Sequence, residues 1–403
     1  MSTISTISST NSIQFRDLQR QYNHIKSAID EKVSSIIQSS HFISGPEVKE
    51  LELNLAAYTG HKHCISCANG TDAITIALRA AGVGEGHAVF VPDFTFFSSG
   101  ECPAGIGARP IFVDVKADTY NIDPVALQSA IEKVLSEGEL EPRAVVAVDL
   151  FGQPFDYDSI SSICDKYNLF LLEDAAQGFG GVYTCSDGTK LMAGKLGDIS
   201  TTSFFPAKPL GCYGDGGAIF TDDDNLSNLC RSIAVHGKDM EHLDDPNAKY
   251  NNIRLGYNSR LDTLQAGVLL AKFPVFKDEE LDAVNHVAAR YTEKLSDTGL
   301  VLPLISENYY SSWAQYTVQL PGNVDRTLVQ KVLKTAGIPT NIYYIKPMHK
   351  QGAFVGMRSA ITDCPVTEKL CECVLCLPIH PYLKDSEIDF IVEKFKEAIK
   401  GSH

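Results

Sequence analysis

The chain has 403 residues, of which 44% are hydrophobic and 21% charged, a balance that excludes a disulfide-stapled mini-protein, a fibre and a globally disordered chain. Thirty-five Lys and Arg stand against 50 Asp and Glu, a formal charge of -15. That field repels nucleic-acid backbones and anionic membrane surfaces, so neither is expected as a partner, while a small anion remains allowed where a few local donors meet it.

Residues 1–12 are rich in Ser and Thr and carry neither a basic n-region nor an apolar h-region, so they read as a flexible lead and not as a signal peptide. No run is long and apolar enough to span a bilayer. Eleven cysteines, an odd number, fit a reducing cytoplasm better than a disulfide framework. Cys371, Cys373 and Cys376 cluster, with Cys364 upstream and Cys64 and Cys67 far away, but the spacing matches no paired zinc ribbon; core packing is the assignment, and no metal is expected.

A large domain is expected over 13–275. Apolar residues at helical spacing predict a helix over 71–81, and short continuous apolar runs at 88–91, 111–113 and 145–148 predict strands buried on both faces. A helix over 157–167, with Ile160, Ile163 and Cys164 inward, leads to a strand over 169–172 that ends at Glu173 and Asp174. A further strand is expected at 218–220. Helix alternating with apolar strand predicts crossover connections and an α/β fold with a mostly parallel sheet covered by helices. Helices over 261–271 and 279–295 carry the chain onward, and 276–400 is expected to hold this helical connection and a small α+β domain: strand 315–320, helix 326–336, strand 341–344 and helix 386–399.

Four segments carry chemistry, each where a strand hands over to a loop or helix, the edge at which open α/β sheets bind ligands. Asn69-Gly70-Thr71 precedes a helix whose first amides and Thr hydroxyl can donate to a phosphate; the same tripeptide also suits a plain turn with a helix cap. Asp174, in Glu173-Asp174-Ala175-Ala176-Gln177, suits a metal, a ribose hydroxyl or a protonated ring nitrogen, and equally a cap. Lys208 lies between Pro206 and Pro209 in an apolar, Gly-bounded loop that can lower its pKa, though most lysines are merely solvated. The glycines of Gly211-Cys212-Tyr213-Gly214-Asp215-Gly216-Gly217 permit close backbone approach, but a strand follows them instead of a helix, which disfavours a nicotinamide site.

An anion cradle, a strand-end Asp and a loop Lys preceded by Ser203 together meet the needs of pyridoxal phosphate. Here the sequence resembles the DegT-type sugar aminotransferases of aspartate aminotransferase fold type I. The likeness runs from Phe15-Arg16-Asp17-Leu18 through Gly256-Tyr257-Asn258-Ser259-Arg260-Leu261-Asp262 to Leu377-Pro378-Ile379-His380-Pro381. It implies a seven-stranded-type sheet, Lys208 as the Schiff-base lysine and proton shuttle, and Asp174 as partner of the pyridine nitrogen. It further implies Gln177 at the phenolic oxygen, Phe96 stacked on the ring, and Gly70, Thr71 and Ser203 at the phosphate. Asn258 would reach that phosphate from the second subunit of a homodimer with shared sites, and Arg260, Tyr343 and Tyr344 would contact the substrate.

The reaction so implied moves an amino group from glutamate to a keto sugar on a nucleotide. The Lys208 loop and the Arg260 segment look most like the branch that aminates UDP-2-acetamido-2-deoxy-3-oxo-glucuronate for bacterial surface polysaccharide such as O-antigen. One departure stands out: Tyr343-Tyr344-Ile345 replaces that branch's usual His-Tyr-Pro. An aminotransferase for a UDP- or dTDP-4-keto-6-deoxyhexose is the alternative. A dehydratase of the same fold carries His where Lys208 stands, and a non-catalytic ligand-binding relative is the remoter reading.

Overall fold

Continuous runs of Val, Ile, Ala and Phe, almost wholly inaccessible to solvent, build the centre of the molecule. The computed structural model describes residues 13–240, 251–357 and 363–402; the lead expected over 1–12 lies outside them. In chain order the first elements are α1 (Leu18–Ser39), α2 (Pro46–Thr59), β1 (His63–Cys67), α3 (Gly70–Ala80), β2 (His87–Pro92), α4 (Ser98–Gly105), β3 (Arg109–Val113), α5 (Pro124–Glu137) and β4 (Glu141–Val148). Next come α6 (Tyr157–Tyr167), β5 (Phe170–Asp174), β6 (Val182–Thr184), β7 (Lys190–Met192), β8 (Ile199–Ser203), β9 (Gly217–Thr221), α7 (Asp224–Ala234) and α8 (Thr263–Val275). The remainder is α9 (Leu281–Leu295), β10 (Tyr309–Tyr310), β11 (Tyr316–Gln319), α10 (Arg326–Thr335), α11 (Pro365–Cys373), β12 (Val374–Leu377) and α12 (Asp385–Lys400).

Seven strands form one sheet in the order β1-β9-β8-β5-β4-β2-β3. The pairs β2·β3, β2·β4, β4·β5 and β5·β8 are parallel, and β9 runs antiparallel to both β8 and β1. Side chains alternate between two cores, as the two-residue period of a strand dictates. Val89, Val91, Val146 and Val148 point to one, with Ala73, Ile76 and Ala77 of α3. Ala88, Phe90, Val145 and Ala147 point to the other, with Leu127 and Ile131 of α5 and Ile160 of α6.

The strand β8 does not follow the apolar rule and was not legible as a strand. Its sequence Ile-Ser-Thr-Thr-Ser is polar, yet Ser200, Thr201 and Thr202 are buried. Their hydroxyls are satisfied internally: Ser200 Oγ donates to Glu173 Oε2 at 2.6 Å, Thr201 Oγ1 to the Glu173 carbonyl at 3.1 Å and Thr202 Oγ1 to the Ala175 carbonyl at 3.3 Å.

A separate core gathers Val284 and Tyr291 of α9, Tyr316 and Val318 of β11, Val329 and Leu333 of α10, Leu375 and Leu377 of β12, and Ile391 and Phe395 of α12, with Ile13 joining from the other end of the chain. The expected strand over 341–344 does not form. Asn341 makes one isolated bridge with Cys376, and the chain then leaves the β11–β12 ladder, which frees Tyr343 and Tyr344 to face the cavity described below. All eleven cysteines stand as thiols; Cys371 packs in the core beside Leu370, and Cys376 Sγ lies 3.0 Å from Thr317 Oγ1. Among the described residues no helix is long and apolar enough to cross a membrane.

Candidate active site

The ends of β1, β5 and β8 and the start of β9 meet at one edge of the sheet, because β9 alone reverses direction. There α3 begins. Asn69 caps it, its Oδ1 accepting from the Asp72 amide at 2.8 Å, so the Gly70 and Thr71 amides are first-turn donors with no intrahelical acceptor. The N-cap reading of Asn69 and the cradle reading are therefore one arrangement. Gly70 is required by proximity: a Cβ there would sit 2.7 Å from Ser203 Cβ. The helix start is thus pressed against the end of β8, and its two amides, the Thr71 hydroxyl and the Ser203 hydroxyl surround a space suited to an anion.

That space is one end of a cavity of about 730 Å³. Gly70, Thr71, Phe96, Asp174, Gln177, Ser203, Lys208, Tyr343 and Tyr344 all line it. Residues spread across more than 270 positions of sequence thus converge as expected.

Asp174 ends β5 with 5% of its surface exposed, and its Oδ1 accepts from the Ala176 amide at 3.1 Å. Burial raises its pKa, and the Lys208 ammonium and the Ala176 amide pull it back. Lys208 shows the converse: burial lowers its pKa, Asp174 opposes this, and the Arg16 guanidinium adds to the lowering. Burial thus biases both groups toward their neutral forms, a free amine at Lys208 included, while each charge partly offsets the other's shift; a cation held beside Asp174 favours its ionised carboxylate.

Gln177 is fixed at both ends of its amide: Oε1 accepts from the Phe151 amide at 2.8 Å, and Nε2 donates to the Tyr344 hydroxyl at 3.3 Å. Phe96 is 53% exposed, an aromatic face open to the cavity and not committed to a core. Phe15 meets Tyr343 edge-on with centroids 6.3 Å apart, so the start of the described chain covers this side of the cavity.

Asn258 and Arg260 are elsewhere. Both are exposed, and Arg260 lines a separate groove of about 450 Å³ with Lys49, Glu52 and Arg231. No ion pair holds Arg260 among the described residues. Within a single chain these two side chains do not reach the Lys208 cavity.

Several participants were missed in the sequence. Asp149 is buried behind Asp174 and shares a hydrogen bond with Glu173, whose oxygens also accept from the Gly194 and Leu196 amides and the Ser200 hydroxyl. Burial first, then the Glu173 charge, drives the Asp149 pKa far up, and burial raises Glu173 as well, so the two carboxyls titrate as a pair that resists carrying two charges. Gln315 lines the cavity with a buried Oε1 that has no partner among the described residues, an acceptor ready for a ligand donor. Lys346 lines the cavity as an exposed cation. Only the Glu173-Asp174 doublet at a strand end could have hinted at the first; nothing local marks the other two.

The donor set fits pyridoxal phosphate on the structure's own terms: a phosphate-sized cradle at Gly70, Thr71 and Ser203, a buried carboxylate at Asp174, and a buried amine at Lys208. Comparison with known proteins agrees. The profile of the DegT/DnrJ/EryC1/StrS aminotransferase family matches residues 23–396. A Pseudomonas aeruginosa protein, UDP-2-acetamido-2-deoxy-3-oxo-D-glucuronate aminotransferase, is 43% identical over 379 residues, 94% of this chain and 98% of its own. The crystal structure of a DegT DnrJ EryC1 StrS aminotransferase from Brucella abortus superposes with a TM-score of 0.90 at 42% identity, covering 96% of this chain and 99% of that one. NtdA from Bacillus subtilis, solved with bound cofactor PMP, gives a TM-score of 0.84 at 29% identity, over 98% of this chain and 86% of that one.

Proposed function

Because the chain belongs to the DegT/DnrJ/EryC1/StrS aminotransferase family and its cofactor is pyridoxal phosphate, we propose that it moves an amino group from glutamate to the 3-oxo carbon of UDP-2-acetamido-2-deoxy-3-oxo-glucuronate. The observation that carries the substrate is the 43% identity to the Pseudomonas aeruginosa aminotransferase across nearly the whole of both chains. The proposed setting is the cytoplasm, on a route to surface polysaccharide such as O-antigen.

Bound pyridoxal phosphate supplies an electron sink and an exchangeable amino group. The rest is done by the chain. Gly70, Thr71 and Ser203 hold the phosphate, and Phe96 stacks on the ring. Asp174 keeps a proton on the ring nitrogen, the cation that offsets the burial of its carboxylate. Gln177, steadied by Phe151 and Tyr344, donates to the phenolic oxygen. Lys208 Nζ would anchor the cofactor and serve as the base that moves a proton at the donor's α-carbon; a pKa lowered by burial keeps more of this amine in its basic form.

The acceptor carries a pyrophosphate and a carboxylate, and the net charge of -15 repels both. Lys346 at the cavity wall offers local attraction, and Tyr343 and Tyr344 offer hydroxyls to the sugar. Asn258 and Arg260 complete a site only across a two-fold homodimer. In support, Phe42, Ile43 and Leu53 expose apolar side chains in the segments that line or adjoin the Arg260 groove.

The test is a panel of nucleotide keto sugars with glutamate, read by mass. Conversion of the 3-oxo-uronate with formation of 2-oxoglutarate is expected. Amination of UDP- or dTDP-4-keto-6-deoxyhexoses with no product from the uronate overturns the substrate and leaves the aminotransferase standing.

A further inference from the structure

Three segments remote in sequence meet beside the cavity. Asp93 follows β2, His349 lies in the turn after the Tyr343-Tyr344 segment, and Cys364 precedes α11. Their ligand atoms, a carboxylate oxygen, an imidazole nitrogen and a thiol sulfur, all lie within 4.8 Å of one another. Asp93 and Cys364 are 1% and 2% exposed. Asp93 Oδ1 accepts from the His349 amide at 2.8 Å, and Oδ2 lies 2.6 Å from His349 Nδ1. The other ring nitrogen of His349, Nε2, faces Glu368 Oε1 at 3.3 Å, and Glu368 is steadied by Lys350 at 2.7 Å.

We infer that Asp93, His349 and Cys364 form a binding site for a borderline divalent cation, with zinc the best match, and that Glu368 orients the histidine from outside. An oxygen, a nitrogen and a sulfur from three side chains are a zinc donor set with one position left for water. A histidine that presents one nitrogen to a ligand cluster and the other to a carboxylate is the arrangement that fixes the tautomer of metal-bound imidazole. Bonds of about 2.0–2.3 Å to a tetrahedral ion put ligand atoms about 3.3–3.6 Å apart; the Asp93 and His349 atoms, 2.6 Å apart, must open to admit it, with the thiol sulfur already within 4.8 Å of both, a change that small side-chain rotations supply. Binding replaces the Asp93-His349 hydrogen bond and the thiol S–H bond with three bonds to the ion and releases to solvent both the thiol proton and the proton held between Asp93 Oδ2 and His349 Nδ1.

The site is distinct from the catalytic cavity, which none of its three ligands lines, but it is mechanically joined to it. Met348 and Gln351, on either side of His349, line the cavity, and the Met348 amide donates to the Asp93 carbonyl at 3.0 Å. The ion therefore acts by pinning the Tyr343-to-Gln351 segment onto the sheet edge at Asp93. It takes no part in amino transfer.

The test uses the pyridoxal phosphate-loaded enzyme, stripped of metals with a chelator and titrated with Co²⁺ and then Zn²⁺. One Co²⁺ per chain is expected, with a thiolate-to-cobalt band in the near ultraviolet and visible bands of tetrahedral intensity, both abolished by Zn²⁺. Cys364→Ser should remove the thiolate band, and Glu368→Gln should weaken Zn²⁺ binding roughly ten- to a hundredfold. Absence of the thiolate band from the unmutated enzyme, its survival in Cys364→Ser, or Zn²⁺ affinity indifferent to Glu368→Gln would each overturn the site. Should a variant fail to retain cofactor, X-ray absorption on the unmutated zinc-loaded enzyme decides: one sulfur in the zinc shell supports the site, and none refutes it.

Discussion

Arg16 donates through Nη2 to the main-chain carbonyl of Lys208 at 3.1 Å, across 192 positions of sequence. Lys272, itself buried with a pKa lowered to about 8 chiefly by burial, donates to the Gly211 carbonyl three residues further along the same loop. A half-buried guanidinium and a buried ammonium thus fasten the backbone that carries the Lys208 amine. The charge of Arg16 also disfavours a proton on Lys208, so its removal should raise the Lys208 pKa. For Arg16→Met, the acid limb of the rate at which apoenzyme captures pyridoxal phosphate should move to higher pH. Arg16→Lys, which keeps the charge, should largely restore it; a limb that stays in place in Arg16→Met counts against electrostatic coupling.

Lys208→Ala should lower turnover by at least about 10⁴-fold, and borohydride should no longer fix the cofactor to the chain. Asp174→Asn keeps the shape of the side chain and loses its charge. Its cost should fall on turnover, by about 10²-fold or more, with cofactor still bound. Near-normal rates in Asp174→Asn would remove it from the pyridine nitrogen.

Lys346→Ala should raise KM for the anionic sugar nucleotide about five- to tenfold and leave kcat nearly unchanged, the pattern of a contact made equally before and during reaction. Arg260→Lys should impair the 3-oxo-uronate more than a neutral keto sugar, because a guanidinium grips a carboxylate with two parallel bonds and an ammonium does not. Equal losses on both substrates would assign Arg260 to a structural role.

Mixing inactive Lys208→Ala chains with inactive Asn258→Ala chains should restore activity. Random exchange makes half the dimers hybrid, and each hybrid keeps one of two sites intact, so recovery should approach about one quarter of the unmutated rate. A fully active monomer in sedimentation would refute the shared site.

His61 and His380 are buried with pKa values pushed down to about 4, chiefly by burial, with Lys195 adding at His61 and Arg16 at His380. Among the described residues His61 Nε2 and His380 Nδ1 have no partner, so a second proton on either ring would have no acceptor there. The unfolded chain, with histidine near 6.5, binds more protons between pH 6.5 and 4, so folding stability should fall as pH drops through that window. At pH 5 each histidine contributes a loss of about 2 kcal/mol relative to neutral pH. Urea unfolding at pH 7 and pH 5 measures it, and replacing either histidine with Gln should flatten the difference.

What could be read in the sequence followed from local chemistry. The strand β4 and the helix α6 announce themselves by apolar period, and Asp174, Lys208 and Gly70 by standing at strand ends among glycines and prolines. The strand β8 stayed hidden because its burial is made affordable by Glu173 and Ala175 on a neighbouring segment, information absent from Ser-Thr-Thr-Ser itself. Residues 341–344 read as a strand, yet the chain leaves the β11–β12 ladder after Asn341 and turns the two tyrosines to the cavity. Arg16 acts through a contact 192 residues distant, Gln315 and Lys346 through their places on the cavity wall, and the Asp93, His349 and Cys364 group exists only once three segments meet.

The pairing of β5 with β8 matches Asp174 to Thr201, and Ser203 lies two residues further on, about 6.6 Å along the strand at roughly 3.3 Å per residue. The two ends of the proposed cofactor site, the Asp174 carboxylate and the Ser203 hydroxyl, are therefore graduations on one ruler whose markings are peptide hydrogen bonds. Loops can flex to admit a longer or shorter ligand; a ladder can only slip by whole residues. Analogues of pyridoxal phosphate with an extra methylene between ring and phosphate should thus be rejected by the geometry of the sheet itself, whatever the surrounding side chains.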